Sequence, residues 1–340
     1  MAGCSDKPTI DAVTKPRKYF NTSGICIPKR HYILERRALL LKGVELAEEK
    51  RYFSIWAPRQ TGKSTYFTLL CGELKELGYI AIWTSVEDYE QSYTRERVIE
   101  RLFEDTRREL EKFGEVFKDQ PRDYSDFFKY LGQLGRKVIF VIDEVERFPG
   151  AHLNEFLHAI RMAYHRRDEH NLKSVVVVGV SNILGIIQDN ASPFNITDNL
   201  NVPYFDSEEV DELLSQHERE TGQHFAESVK ENIFKTTAGQ PGLVNGFASR
   251  LVELNSNGQA IVEEDYRAVE DWYLHEAIDK NIENIKNKAK RHRGLLERLL
   301  FQEREQIFNI HKEPIKFIHS HPISTEMATT TSWPHAAKTA

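Results

Sequence analysis

Cysteine is scarce in this sequence. The 340 residues include only Cys4, Cys26 and Cys71, and no two of them form a C-x-x-C pair. Three thiols cannot all pair with one another, and a reduced, cytoplasmic interior is expected. No apolar run approaches the ~18 residues that a membrane helix needs, so no membrane partner is expected. The first residues lack the apolar stretch of a secretory leader. No segment repeats. His319 and His321 stand two apart, but without Cys or acidic partners at ligand spacing they argue poorly for a metal site. No Ser-His-Asp or Cys-His arrangement can be argued. A net charge of −6 is mild and speaks against a generally polyanion-binding surface, although a local basic patch remains open.

What is present reads as a globular chain. Apolar residues make up 40% and charged residues 29%, and the length suits one large domain or two ordinary ones. Residues 1–18 are polar and carry two prolines, the expected loose arm. "YFNTSGICIPKRHYILERRALL" is a loop followed by a helix from about Glu35. "RYFSIWA", "YIAIWTS", "KVIFVIDE", "SVVVVGVSN" and the shorter "NVPYF" read as buried strands. Helices are expected from Gly62 to about Leu77, over 94–113, from Ser125 to near Gly135, and over 151–166. Strands that alternate with helices and are apolar on both faces imply an α/β fold, a parallel sheet covered on both sides. Aromatics such as Tyr19, Phe20 and Trp83 are expected in the core.

After Phe205 the pattern turns all-helical. Ser207 is the expected N-cap of the first helix, which ends at Gly222. The expected organisation is therefore an arm over 1–18, an α/β domain over 19–205, a helical domain over 206–280 and a basic extension over 281–318. That extension contains "KNKAKRHRGLLER", residues 286–298. The tail over 319–340 reads as disordered or truncated.

"APRQTGKST" carries the chemistry. It matches G-x-x-x-x-G-K-[ST], with Ala57 at the first glycine. In such a loop several backbone N–H groups face a phosphate and the following helix presents its positive end to the same anion. Arg59, Gln60, Thr61, Gly62, Lys63, Ser64 and Thr65 would form the cradle. Gly62 lets the backbone approach, Lys63 brings a charge to the β/γ-phosphates, and Ser64 offers a hydroxyl to Mg²⁺. The strand-to-loop turn needs little bulk, which alanine nearly satisfies. The plain alternative is a Gly-Lys turn that starts an ordinary helix. In "VIFVIDEVERF", Asp143 ends a buried strand, where ligands of α/β sheets collect, and would hold Mg²⁺. Glu144 beside it could polarise an attacking water. A solvated acidic turn is the alternative. Ser181 and Asn182 end the later strand and could sense the γ-phosphate, or merely cap a turn.

The order of "APRQTGKST", "VIFVIDE", "VVVVGVSN" and "TTAGQPGLVN" resembles AAA+-related P-loop ATPases of the STAND type, signal-transduction ATPases with numerous domains. The nearest resemblance is to bacterial AAA-like ATPases that share "FNTSGxCxPxxHY" and "SPFNI", here Ser192 to Ile196. It spans roughly residues 19–280. The resemblance implies a P-loop NTPase with a five-stranded sheet in the order 5-1-4-3-2, followed by a helical lid, and ATP/ADP with Mg²⁺ as ligands. It implies that "HYILERRALL" folds over adenine, with Tyr32, Ile33 and Arg36 as candidate contacts. Gly239 and Pro241 match its Gly-x-Pro, where the proline lies near the base. Read from the residues alone, the same stretch is a turn with Pro241 in a first helical turn. Adenine rests on the resemblance, since no guanine-reading Asn-Lys-x-Asp motif occurs. From Ile183 to Phe205 there is no Arg or Lys, so the arginine that AAA+ rings usually supply from that region is absent. Arg147, Arg166 and Arg167 are the other candidates.

The expectation is an ATP-binding, slowly hydrolysing switch ATPase that acts with a homo-oligomeric or protein partner. A DNA-associated ATPase using residues 286–298 is one rival, and a non-hydrolysing, nucleotide-stabilised interaction module is the other.

Overall fold

A computed structural model describes residues 18–57, 60–117, 119–179, 198–276 and 290. Five parallel strands form one sheet: β1 (Phe53–Trp56), β2 (Ile80–Ser85), β3 (Val138–Asp143), β4 (Leu172–Gly179) and β5 (Asp198–Asn201). Their order is β2-β3-β4-β1-β5, the 5-1-4-3-2 order that the resemblance implies. The register pairs Phe53 with Val176 and Ser85 with Asp143. The C-terminal ends of β1, β3 and β4 therefore share one edge.

β3 shows why the sheet is buried on both faces. All six of its residues are buried. Val138, Phe140 and Ile142 join a cluster with Leu102, Phe127 and Phe156. These come from α3 (Arg95–Glu111), α4 (Tyr124–Gly132) and α5 (Gly150–His165). Ile139 and Val141 face the other way, into a cluster with Leu40, Phe67 and Leu70. Those belong to α1 (Arg37–Glu48) and α2 (Lys63–Glu76). A period of two thus splits one apolar run between two helical layers.

The helices after the sheet are α6 (Ser207–Thr221), α7 (Glu227–Thr237), α8 (Pro241–Leu254) and α9 (Glu263–His275). They have a core of their own, built on Leu213, Leu214, Val229, Ile233, Val244, Phe247 and Val269. Phe20 and Tyr32 from the N-terminal segment are buried in that same core. The Tyr32 hydroxyl meets His217 Nδ1 at 3.2 Å, and His217 Nε2 meets Gln223 Oε1 at 3.0 Å. Segment 18–34 is thereby fixed to the helical group, although α1, just after it, packs on the sheet.

Four local expectations are corrected. α6 is capped by Asp206, not Ser207: Asp206 Oδ1 accepts from Glu209 N at 2.8 Å while Asp206 N donates to Glu209 Oε2. This reciprocal capping box holds the helix start one residue earlier than a lone serine would. α4 likewise starts at Tyr124 because Asp123 caps it, accepting from Asp126 N at 2.7 Å. The edge strand is Asp198–Asn201 and not "NVPYF". Pro203 has no N–H for a ladder, and Arg51 grips Asp198 through Nε and Nη2 at 2.6 and 2.8 Å. Finally, Tyr19 is 53% exposed. It lies at the neck of the 19–31 loop, edge-on to His31 at 4.6 Å between ring centroids.

Gly43 marks the closest approach of α1 and α2. A Cβ there would collide with the Tyr66 hydroxyl, which donates to Leu39 O at 2.9 Å. Gly43→Ala is expected to destabilise the protein by about 1–2 kcal/mol through overpacking, read as a lower urea midpoint. Combining it with Tyr66→Phe should recover part of that loss.

Candidate active site

The site forms where β1 gives way to α2. Ala57 is buried at 3% exposure, a position with little room for bulk. Arg59 lies outside the described residues. Gln60 and Gly62 both take left-handed backbone, with φ of 58° and 82°. Gly62 is the N-cap residue of α2 and has no side chain to cap it. The helix start is thus the kind of place where first-turn amides and the helix dipole favour an anion. Lys63 is buried at 7% exposure, and its Nζ donates to Ala57 O at 2.8 Å. Ser64 and Thr65 are half-buried in the same turn. Thr65 Oγ1 accepts from Cys26 N at 3.2 Å, which ties the 19–31 loop to α2.

Asp143 ends β3 at 5% exposure, and its Oδ1 accepts from Glu144 N at 2.9 Å. Burial above all, with the Glu144 charge beside it, pushes its carboxyl up to about 7 against the pull of the Glu144 amide and the Lys63 ammonium. Lys63 and Asp143 thus act on each other across the strand edge. Glu144 is held in left-handed backbone, φ 55°, at the start of a 3₁₀ turn over Val145–Arg147. That conformation is costly for a residue with a Cβ. Its Oε2 is buried and has no hydrogen-bond partner. Ser64 and Asp143 are hard oxygen donors, and Mg²⁺ is commonly held by one or two such side chains together with phosphate oxygens. A buried carboxylate with a raised pKa fits that cation. Among the described residues no group of three or more His, Cys, Asp or Glu makes a self-contained metal site, and no helix is long and apolar enough to cross a membrane.

A largely apolar cleft adjoins this turn. Tyr32, Ile33 and Arg36 line one wall, Thr61, Gly62 and Thr65 another, and Leu213 with Pro241 a third. The candidates from three distant stretches of sequence are therefore side by side. Pro241 occupies the first turn of α8. The Arg36 guanidinium is engaged elsewhere: it contacts Glu209 at 2.8 and 3.0 Å and the carbonyls of Pro203 and Tyr204 at 2.7 and 3.2 Å. It ties α1 to the sheet exit and to α6. Ser181 and Asn182 lie outside the described residues, as do "SPFNI", the 286–298 run, His319 and His321.

Several participants escaped the sequence reading. Gln216 clamps the Ile33 backbone, accepting from Ile33 N at 3.1 Å and donating to Ile33 O at 2.9 Å. Gly242 N donates to Gln60 O at 3.3 Å, and a Cβ on Gly242 would run into the Gln60 side chain. Gly239, φ 71°, presses on the Phe205 carbonyl. "GQPG" signalled a turn, but not that its second glycine lets α8 touch the phosphate loop.

Residues 44–297 match a family model described as an AAA-like domain. The chain belongs to the AAA-like domain family. It is a P-loop ATPase of that type. None of the curated protein sequences compared with it matches. Among solved structures it is similar to the Walker-type ATPase of Pyrococcus abyssi, at 17% identity and a TM-score of 0.58, over 92% of this chain and 93% of that one. It is also similar to the Aeropyrum pernix Orc1 protein in complex with DNA (17% identity, TM-score 0.49, 70% of this chain and 65% of that one). A third is the Thermotoga maritima RuvB Holliday junction branch migration motor (12%, 0.48, 87% and 84%). At 17% identity the Pyrococcus abyssi ATPase speaks to fold alone.

The raised carboxyl of Asp143 has a stability consequence. Its folded value of about 7 lies above the ordinary 3.8. The folded state therefore keeps a proton that the unfolded chain releases, and this group costs stability increasingly as pH rises from about 4 to 7. In nucleotide-free protein at pH 8, Asp143→Asn should be more stable by roughly 2–4 kcal/mol. The advantage should shrink toward pH 5, as measured by urea unfolding.

Proposed function

We propose that this AAA-like protein is an ATP-dependent switch of the STAND kind that hydrolyses ATP slowly. In this reading Lys63 and the backbone of residues 59–64 grip the phosphates. Ser64 and Asp143 hold Mg²⁺, which when bound neutralises phosphate charge. Glu144 takes up the attacking water, and Asn182 or Ser181 reads the γ-phosphate. The observation that carries the proposal is the pair of buried groups at the strand ends, Lys63 on its loop and Asp143 bonded to the Glu144 amide, with the partnerless Glu144 Oε2 next in the chain. That oxygen is a buried acceptor without a donor, which supports a proton-accepting role and favours turnover over a purely nucleotide-stabilised module.

The switch element in this proposal is the helical group α6–α9, acting as a lid. Its Gly242 rests on Gln60 of the phosphate loop, and its Glu209 holds Arg36. A lid of this kind moves only if ATP and ADP favour its positions differently. For a neighbouring copy, Arg147 is the arginine on offer. Arg166 pairs with Glu169, and Arg167 lies over the Tyr164 ring at 4.0 Å. Arg147 is exposed, stands just beyond Glu144, and has no ion pair among the described residues.

Glu144→Gln should lower ATP turnover by about 100-fold or more while ATP binding, followed by calorimetry, is retained. Unchanged turnover would remove Glu144 from the reaction. Measuring turnover with and without duplex DNA tests the DNA-associated reading in the same assay, since that reading requires stimulation lost at high salt. Gly242→Ala is expected to erase the difference between ATP and ADP in protecting α6–α9 from limited proteolysis. If the difference survives, the lid does not report through this contact.

A further inference from the structure

α8 carries a buried amide that the reading above does not use. Asn245 is 6% exposed and lines the cleft beside the phosphate loop. Its Nδ2 donates to Pro241 O, one helical turn earlier, at 2.8 Å. That bond fixes the orientation of the amide, because a carbonyl can only accept. Oδ1 is therefore the other end, and it is buried without a hydrogen-bond partner. An orphaned buried acceptor is costly, on the order of 1–3 kcal/mol, and one that lines a cleft can be satisfied by a donor that arrives with a ligand.

The surroundings narrow the class of donor. The cleft around Asn245 is walled by Tyr32, Ile33, Leu213 and Pro241. The Tyr32 hydroxyl is engaged by His217. The Ile33 N–H and C=O are both clamped by Gln216. A flat heterocycle entering this space finds apolar walls and, at Asn245 Oδ1, a buried acceptor with no donor. We propose that Asn245 is a specificity-determining residue that accepts a hydrogen bond from the exocyclic amine of a 6-aminopurine. A 6-oxopurine would bring its carbonyl oxygen to the same acceptor, and the two would repel. This deepens the ATP-site reading and rests on it.

The test compares ATP with purine riboside triphosphate, which has hydrogen in place of the amine, by calorimetry on the full chain. The wild-type protein is expected to bind ATP about 10-fold tighter. Asn245→Leu should bind the two alike, the loss falling on ATP. Any loosening of α8 by the missing bond to Pro241 weakens both nucleotides equally and cancels in the ratio. Asn245→Ala also removes the acceptor and serves if the leucine variant does not fold. Equal binding by the wild type, or a preference that survives both substitutions, overturns the assignment while leaving the phosphate site standing. Wild-type protein that binds neither nucleotide brings down the ATP-site reading itself.

Discussion

A carboxylate at 5% exposure and an ammonium at 7% exposure are both buried near one end of a parallel sheet, close enough to act on each other electrostatically. Each alone would be expensive to bury, and their mutual attraction only partly offsets the lost hydration. Asp143 reports the imbalance, since burial outweighs the pull of Lys63 and leaves its carboxyl well above the ordinary range. In the nucleotide reading, a polyphosphate supplies the negative charge that Lys63 faces, and a divalent cation supplies the positive charge that Asp143 faces. The fold tolerates the cost because β3 is buried on both faces, and its two helical layers supply the stability that the edge consumes.

The rest of the molecule is arranged around that edge. The loop over 19–31 reaches Thr65 through Cys26, the segment after it enters the helical core through Tyr32, and Arg36 binds both the sheet exit and α6. The helical group returns to the phosphate loop at Gly242. Hydrogen-bonded contacts thus run from the loop through the segment and the helices and back to the loop. In the proposed reading these contacts link the phosphate site to α6–α9, and each is a hydrogen bond or a close packing contact rather than a long surface ion pair. Such links suit an element with two discrete arrangements, because they are made or broken as units.

Much of this was readable in advance. The apolar runs identified β1 to β4, since a strand buried on both faces cannot be mistaken for a solvent-facing one. The glycine–lysine turn and the Asp143–Glu144 pair stood out because the chemistry narrows which residues serve at those points. Local capping was less legible. Asp206 and Ser207 are both good caps, and only the reciprocal bond to Glu209 decides between them. β5 was misplaced because the apolar letters of "NVPYF" outweighed Asp198 and Asn199, whose edge position tolerates polar side chains. Gln216 and Asn245 were invisible, since a glutamine or an asparagine on an amphipathic helix is ordinary until its partners are known.

The sequence by itself determined the phosphate loop, the acidic strand end and the alternation that makes a covered parallel sheet. These follow from short-range rules: a turn that needs glycine, a helix start that attracts anions, a period of two. Tertiary structure alone decided that segment 18–34 joins the helical core, that α8 presses Gly242 against the loop, and that the Asn245 amide oxygen is left buried without a donor. Those outcomes depend on which surfaces meet across more than a hundred residues of chain, and hydrogen-bond satisfaction is a property of the meeting rather than of either partner's local sequence.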